Sequence, residues 1–431
     1  MNLSKDETAI LAGSRGSGAA RAMEILAALG RIGGAEDMVE VESVQVSGVS
    51  FRNIGIHGLR FLQEWAGQGS KAVVPAYMNP GGADRRLWKA LGLPEDFVDK
   101  QERVIKALLG LGIKPTLTCT PYHAAPRPKL GDHLAWSESS AVCYANSVIG
   151  ARTNREGGPS AIAAALTGRT PRHTLHTDAG RLPTTVVEVG CPVPNVSDAG
   201  ALGYLTGQLL AHDPRGGIPF LRGVEAPADV TREAWLKALG AAMAASGSVG
   251  LFHLEGVTPE AAASGPELMA AAARRVKVES LEQARRELFS AKGRPDVVAF
   301  GCPHASLDEL KRLEALFGGR RASVPVWVFT AEAVRRKAEK SGMAGRLAAC
   351  GATLVADTCI VVAPLAEMGI KNVATDSAKA AFYLPSHQGV GVCFESQEAA
   401  VEAAVAGGPF FGSKAPEEAA PQSSRPAGSG A

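Results

Sequence analysis

The chain has 431 residues, of which 46% are apolar and 20% charged, and its formal net charge is +2. That length exceeds one ordinary domain, so two or three packed units are expected. The near-balance of charge, with Lys and Arg scattered, gives no nucleic-acid footprint.

The opening MNLSKDETAILAG has no apolar stretch behind a basic start, so it does not read as a signal peptide. No run approaches the roughly 18 uninterrupted apolar residues of a membrane span. Both readings place the chain in the cytoplasm, with no membrane partner. Under reducing conditions the 7 cysteines are not expected to form a disulfide framework. No CxxC pair exists, so zinc-ribbon and thioredoxin chemistry have no support. Most of the cysteines read as small buried hydrophobes, and a subset is open to metal or redox chemistry.

In chain order, Ser4 and Glu7 form a capping-box pattern before an apolar stretch. Residues 20–29 read as a helix ended by Gly30. Residues 38–46 alternate valine with polar groups and read as a strand, closed by the small-residue turn Ser47-Gly48-Val49-Ser50. Residues 51–65 return to helical spacing. Residues 71–78 read as a strand that runs into Asn79-Pro80-Gly81-Gly82-Ala83-Asp84. Residues 94–109 read as a helix, and a further strand is expected to lead into Thr118-Cys119-Thr120-Pro121. Later, residues 296–300 read as a buried strand followed by Gly301-Cys302-Pro303-His304 and a helix. Residues 324–329 read as a strand before a helix over 331–340. Residues 354–356 read as a strand leading into Asp357-Thr358-Cys359, and 371–374 as one leading to Lys379. Strands alternating with helices predict an α/β fold with mostly parallel sheets. No internal repeat is visible. From about residue 411 the composition turns to Ser, Pro, Ala, Gly and Glu, which cannot offset its ordering entropy, so residues 411–431 are expected to be disordered.

Cys119, Cys302 and Cys359 stand where strands are expected to end, which is where ligands bind in open α/β sheets. Pro121 and Pro303 follow them as residues suited to a first helical position. A helix N-terminus lowers thiol pKa, and the thiolate is the form that binds iron. Three such thiols on an iron–sulfur cluster leave one iron position open as a Lewis acid. Spacing alone leaves the alternative of three unrelated buried cysteines, the reading given to Cys143, Cys191, Cys350 and Cys393. The densest polar run is residues 131–158, with Asp132, His133, Glu138, Ser139, Asn146, Arg152, Asn154, Arg155 and Glu156. Its polar groups interleave with small apolar ones, which suits a lined site rather than a solvated face; the alternative is a solvated loop before a helix cap. The turns 47–50 and 79–84 can present backbone N–H groups to an anion. Lys379 suits a substrate carboxylate, although by itself it reads as a solvated helix lysine.

These segments resemble one family. Trp136-Ser137-Glu138-Ser139-Ser140-Ala141, Tyr144-Ala145-Asn146-Ser147 and Gly150-Ala151-Arg152-Thr153-Asn154-Arg155-Glu156-Gly157-Gly158-Pro159-Ser160 are similar to the signature of aconitase X. So are Ser47 to Ser50, Cys119-Thr120-Pro121-Tyr122, Gly301-Cys302-Pro303-His304 and Asp357-Thr358-Cys359. The resemblance covers residues 3 to about 408. It implies an aconitase-like multi-domain α/β arrangement around a central cleft, here over residues 1–410, and a hydro-lyase that dehydrates a small hydroxy acid. Family activities act on cis-3-hydroxy-L-proline or mevalonate 5-phosphate; the Ala/Gly/Arg-rich composition leans to the first. It further implies that Cys119, Cys302 and Cys359 hold an iron–sulfur cluster. A 4Fe–4S form leads, with 2Fe–2S or mononuclear iron as alternatives. Gly48, Val49, Ser50, Asn79, Pro80, Glu138, Ser139, Ala378 and Lys379 would face the substrate, with Glu138, Ser139 and Lys379 in catalysis. The family's smaller swivel domain carries the serine proposed as base. This chain's tail leaves no room for it, so a separate small subunit is the expected partner. Segment 126–130, with Arg127 and Lys129, is more basic than the family pattern and is a candidate for setting substrate charge preference. Two rivals stand from the residues themselves: a non-catalytic binding subunit, and a cysteine-nucleophile enzyme built on Cys119 and His123.

Overall fold

The computed structural model describes residues 1–213 and 217–407. The expected tail over 411–431 lies outside these residues. Three parallel sheets organise the chain. The first has the order Ala76–Met78, Ser43–Val46, Leu134–Trp136. The second runs His253–Leu254, Pro219–Arg222, Thr185–Val189, Arg274–Val278. The third runs Ala352–Val355, Val326–Thr330, Val297–Ala305, Asn372–Thr375, Gly391–Phe394. Among the named strands, the one antiparallel pairing is a short ribbon of Met38–Glu40 with Arg169–Pro171. The α/β class with mostly parallel sheets is what the strand–helix alternation predicted.

The third sheet is covered on both faces, which is why its strands read as near-continuous apolar runs. Val298, Phe300, Val326 and Val328 face one core. Val297, Phe329 and Val373 face another, which also takes in Val187 and Leu221 of the second sheet. The second and third sheets therefore share a core. Between them lie the helices Val196–Leu210 and Arg232–Gly247. They approach closely because Gly203 has no side chain: a Cβ there would stand 2.3 Å from the Leu239 carbonyl oxygen. The first sheet has its own core of Val44, Val46, Met78, Trp65 and Leu108. No helix among the described residues is long and apolar enough to cross a membrane.

Several local expectations change. The Ser4–Glu7 capping box forms as predicted. The next helix, however, spans Ser17–Ile32 and runs straight through Gly30, which packs under Met1 and Pro171 where a Cβ would collide. Residues 38–46 split into two strands serving different sheets. The strand expected over 71–78 is only Ala76–Met78. No strand leads into Cys119; a single parallel bridge, Tyr77 to Lys114, is all that pairs there. Pro303 is not a helix start. It lies within the strand Val297–Ala305, whose register shifts between Phe300 and Ala305, and the helix Leu307–Phe317 begins after a Ser306–Glu309 capping box.

Candidate functional site

The carboxyl ends of two sheets meet at one cavity of about 360 Å³. Each strand of the first sheet delivers a pair of residues to it. Ser43–Val46 leads through the 47–50 turn to Arg52 and Asn53; Ala76–Met78 leads to Asn79 and Pro80; Leu134–Trp136 leads to Glu138 and Ser139. The third sheet delivers Cys302 from its central strand, Cys359 from the loop after the edge strand Ala352–Val355, and Lys379 from the helix after Asn372–Thr375. Cys119 comes from the loop beside the first sheet's edge, where Thr116 Oγ1 bonds the Met78 carbonyl at 3.0 Å. The second sheet contributes nothing to the lining and acts through the shared core.

Cys302 reaches the cavity by a bulge. Gly301 takes φ +83°, and a Cβ there would stand 2.1 Å from the Phe329 carbonyl oxygen, so only glycine fits. The strand thus turns the thiol out of the sheet plane instead of using a helix N-terminus. The expected lowering of the thiol pKa does not follow. Burial pushes Cys119 and Cys302 up, and Cys359 to about 12, with neighbouring thiols and Glu138 adding to it and Lys379 opposing. Among the described residues no three His, Cys, Asp or Glu side chains converge on a single-ion site. The three thiols share a cavity without closing on one point. Cys143, Cys350 and Cys393 are buried in the cores and Cys191 is half-buried, none of them lining the cavity.

Glu138 caps the helix Ser139–Tyr144 and accepts from the Ala141 N–H at 2.7 Å and Ser140 Oγ at 2.5 Å. Lys379 Nζ completes the carboxylate and also reaches Ser140 Oγ at 3.2 Å. Burial pushes the Glu138 carboxyl up, but the Lys379 charge and these bonds outweigh it and hold the group below the usual carboxylate range. Burial pulls the Lys379 ammonium down, and Glu138 more than restores it. Both groups stay charged. Lys379 is therefore a buried cation, not a solvated helix lysine.

Gly48, Val49, Ser50 and Ala378 stand behind the lining rather than in it. Val49 and Ser50 are buried, and Ala378 packs against Gly200. Gln101, from the helix Glu95–Gly110, ties both turns together: its Oε1 accepts from the Phe51 and Gly82 N–H groups, and its Nε2 donates to the Val49 carbonyl. Of the polar run 131–158, only Glu138 and Ser139 line the cavity. Asn146 is held by Thr153, Gly250 and Arg181, and Glu156 by Ser160 and Thr170, so those groups are structural. The basic 126–130 segment also stays outside the lining, with Arg127 over the Tyr144 ring. His123 pairs with Glu233, while the Cys119 sulfur accepts from the His304 N–H at 3.3 Å, so the Cys119–His123 dyad does not form. Arg52, Tyr383, His387 and Gln388 line the cavity without having been singled out. Arg52 had a signal, standing two residues after the 47–50 turn; His387 and Gln388 sit in an ordinary helix and had none.

Three thiols, a buried lysine–carboxylate pair and two loop turns around one cleft define an aconitase-like α/β enzyme. The chain matches the family models for the Aconitase X first domain over residues 1–179, the second over 183–288 and the third over 295–406. It is 41% identical over 393 residues to the phosphomevalonate dehydratase large subunit of Methanothermobacter thermautotrophicus, covering 91% of this chain and 96% of that one. It is 37% identical over 415 residues to the cis-3-hydroxy-L-proline dehydratase of Pseudomonas aeruginosa, covering 93% of this chain and 69% of that one. The crystal structure of Thermococcus kodakaraensis aconitase X (holo-form) matches with TM-score 0.86 and 38% identity, over 94% of this chain and all of that one. The chain belongs to the aconitase X family.

Proposed function

We propose that this chain is the large subunit of an iron–sulfur dehydratase that removes water from a small anionic hydroxy acid, with Cys119, Cys302 and Cys359 holding a 4Fe–4S cluster. The observation that carries this reading is three thiols, from two loops and a strand bulge, lining one cavity beside the Lys379–Glu138 pair. The donor set fits a cluster better than a single iron. Cluster cysteines each bind a different iron, so they stand around a volume, whereas a mononuclear ion needs its ligands convergent. When bound, the cluster would supply a Lewis-acidic iron for the departing hydroxyl.

The chain's own residues then orient the acid. An ammonium has three donors; Lys379 uses two on Glu138 and Ser140 and keeps one for a substrate carboxylate. Glu138, ionised and saturated with donors, suits the holding of Lys379 better than proton transfer. Ser139 Oγ, 3.4 Å from Glu138 Oε1, and Asn79 offer hydrogen bonds to the substrate. The base would come from a small swivel-domain subunit, a partner that the resemblance implies and that the large-subunit names of the relatives support.

cis-3-Hydroxy-L-proline is the leading substrate. Mevalonate 5-phosphate is favoured by a separate observation: Arg52, paired with Glu367, brings a guanidinium to the same cavity, which suits a phosphate, and the phosphomevalonate relatives align over nearly their whole length. Assaying the large subunit with its small subunit on both acids tests this. Turnover of cis-3-hydroxy-L-proline is expected; turnover of mevalonate 5-phosphate alone selects the second reading. A colourless complex that turns over neither would leave a binding subunit.

A further inference from the structure

We propose that His304 is a positioning residue that locks the three cysteine loops into one arrangement and so sets how firmly the cluster is retained. The inference rests on the cluster reading above. His304 follows Cys302 by two residues and is fully buried. Its backbone N–H donates to Cys119 Sγ at 3.3 Å. Its ring Nε2 lies 2.9 Å from the Thr358 carbonyl oxygen, one residue before Cys359. Its ring Nδ1 lies 2.9 Å from Thr118 Oγ1, one residue before Cys119. One histidine therefore touches the loops of all three cysteines.

The hydrogen-bond order follows from the partners. A carbonyl only accepts, so Nε2 carries the proton and Nδ1 accepts from the Thr118 hydroxyl. Thr118 Oγ1 in turn accepts from the Thr120 N–H at 3.1 Å, and the Thr120 hydroxyl, also at 3.1 Å, can donate to it. Both ring nitrogens are used, which leaves none for substrate. The His304 carbonyl is itself fixed by Lys237 Nζ at 2.9 Å. A ring that merely filled space would need its volume; this arrangement needs its two polar ends.

Three substitutions separate these roles. His304→Leu removes both ends, His304→Asn keeps an acceptor near the Nδ1 position, and His304→Gln keeps a donor near the Nε2 position. Each variant and the unaltered chain would be loaded anaerobically with ferrous iron and sulfide, after circular dichroism has shown the variants folded. Iron release to a chelator and the electron paramagnetic resonance signal of the reduced cluster are then read. His304→Leu is expected to release iron about tenfold faster or more, the scale for losing a partner behind a metal ligand, and to shift the signal. Asn and Gln are expected to fall between Leu and the unaltered chain. Release and signal unchanged in His304→Leu, or Leu outperforming Asn and Gln, would overturn the proposal while leaving the cluster reading intact. An unaltered chain that takes up no cluster would overturn the cluster reading, and this inference with it.

Discussion

Lys379 lies in the first turn of the helix Ala378–Gln388, and its ammonium meets Glu138, 241 residues away, inside the cavity wall. Removing one partner of a buried pair strands the other charge. Lys379→Met should therefore lose about 3 kcal/mol or more in urea unfolding, and Lys379→Met with Glu138→Gln should recover part of it. A single variant as stable as the unaltered chain would contradict the pairing. His176 offers a pH test away from the site. Its Nδ1 lies 2.9 Å from His133 Nδ1. Burial first, then His133, His173, Arg181 and Arg152, push it to about 3 from 6.5. The unfolded chain thus binds the extra proton first, so this contribution to stability is lost as pH falls from 6.5 towards 3. Between pH 7 and pH 5 the loss should be about 2 kcal/mol. The stability gap between the unaltered chain and His176→Asn should narrow by that amount; a gap independent of pH would refute it.

Among elements, the turns 47–50 and 79–84 behave as one unit because Gln101 bonds to both. Gln101→Leu leaves the half-buried Phe51 and the buried Gly82 N–H groups without partners, which should cost about 2 kcal/mol. The turns should also loosen, so that KM rises more than kcat falls; equal KM would show that the turns hold themselves. The same contrast of near and far explains what the sequence revealed. The Ser4–Glu7 cap, the helix from Glu95 and four of the third sheet's five strands were readable because their signals are local or periodic, while the edge strand Gly391–Phe394 was not identified. The split of residues 38–46 was not, since what divides it is the choice of partner, Thr170 for Val39 and Ala76 for Val44. Pro303 misled for a related reason. Proline suits a helix start, but here a glycine forced against the Phe329 carbonyl sets a bulge instead.

At the scale of the whole molecule, three parallel sheets divide the work. The first and third supply the cavity lining, and the second shares a core with the third through the closely packed helices Val196–Leu210 and Arg232–Gly247. Of the three cysteines expected at strand ends only Cys359 follows a strand, since Cys119 sits in a loop and Cys302 on a bulge within Val297–Ala305; their meeting in one cavity is the part that only the fold could show. Residues such as His304 and Gln101 escaped notice because their roles lie in bonds to backbone groups of distant loops. The central claim is that Cys119, Cys302 and Cys359 together hold an iron–sulfur cluster. Iron and sulfide counted per chain, with the visible spectrum, on protein purified without oxygen tests it most directly. The account predicts a coloured protein with about 4 iron and 4 sulfide per chain, and loss of both colour and sulfide in each of Cys119→Ala, Cys302→Ala and Cys359→Ala. A colourless chain, or a cluster that survives Cys302→Ala unchanged, would contradict it.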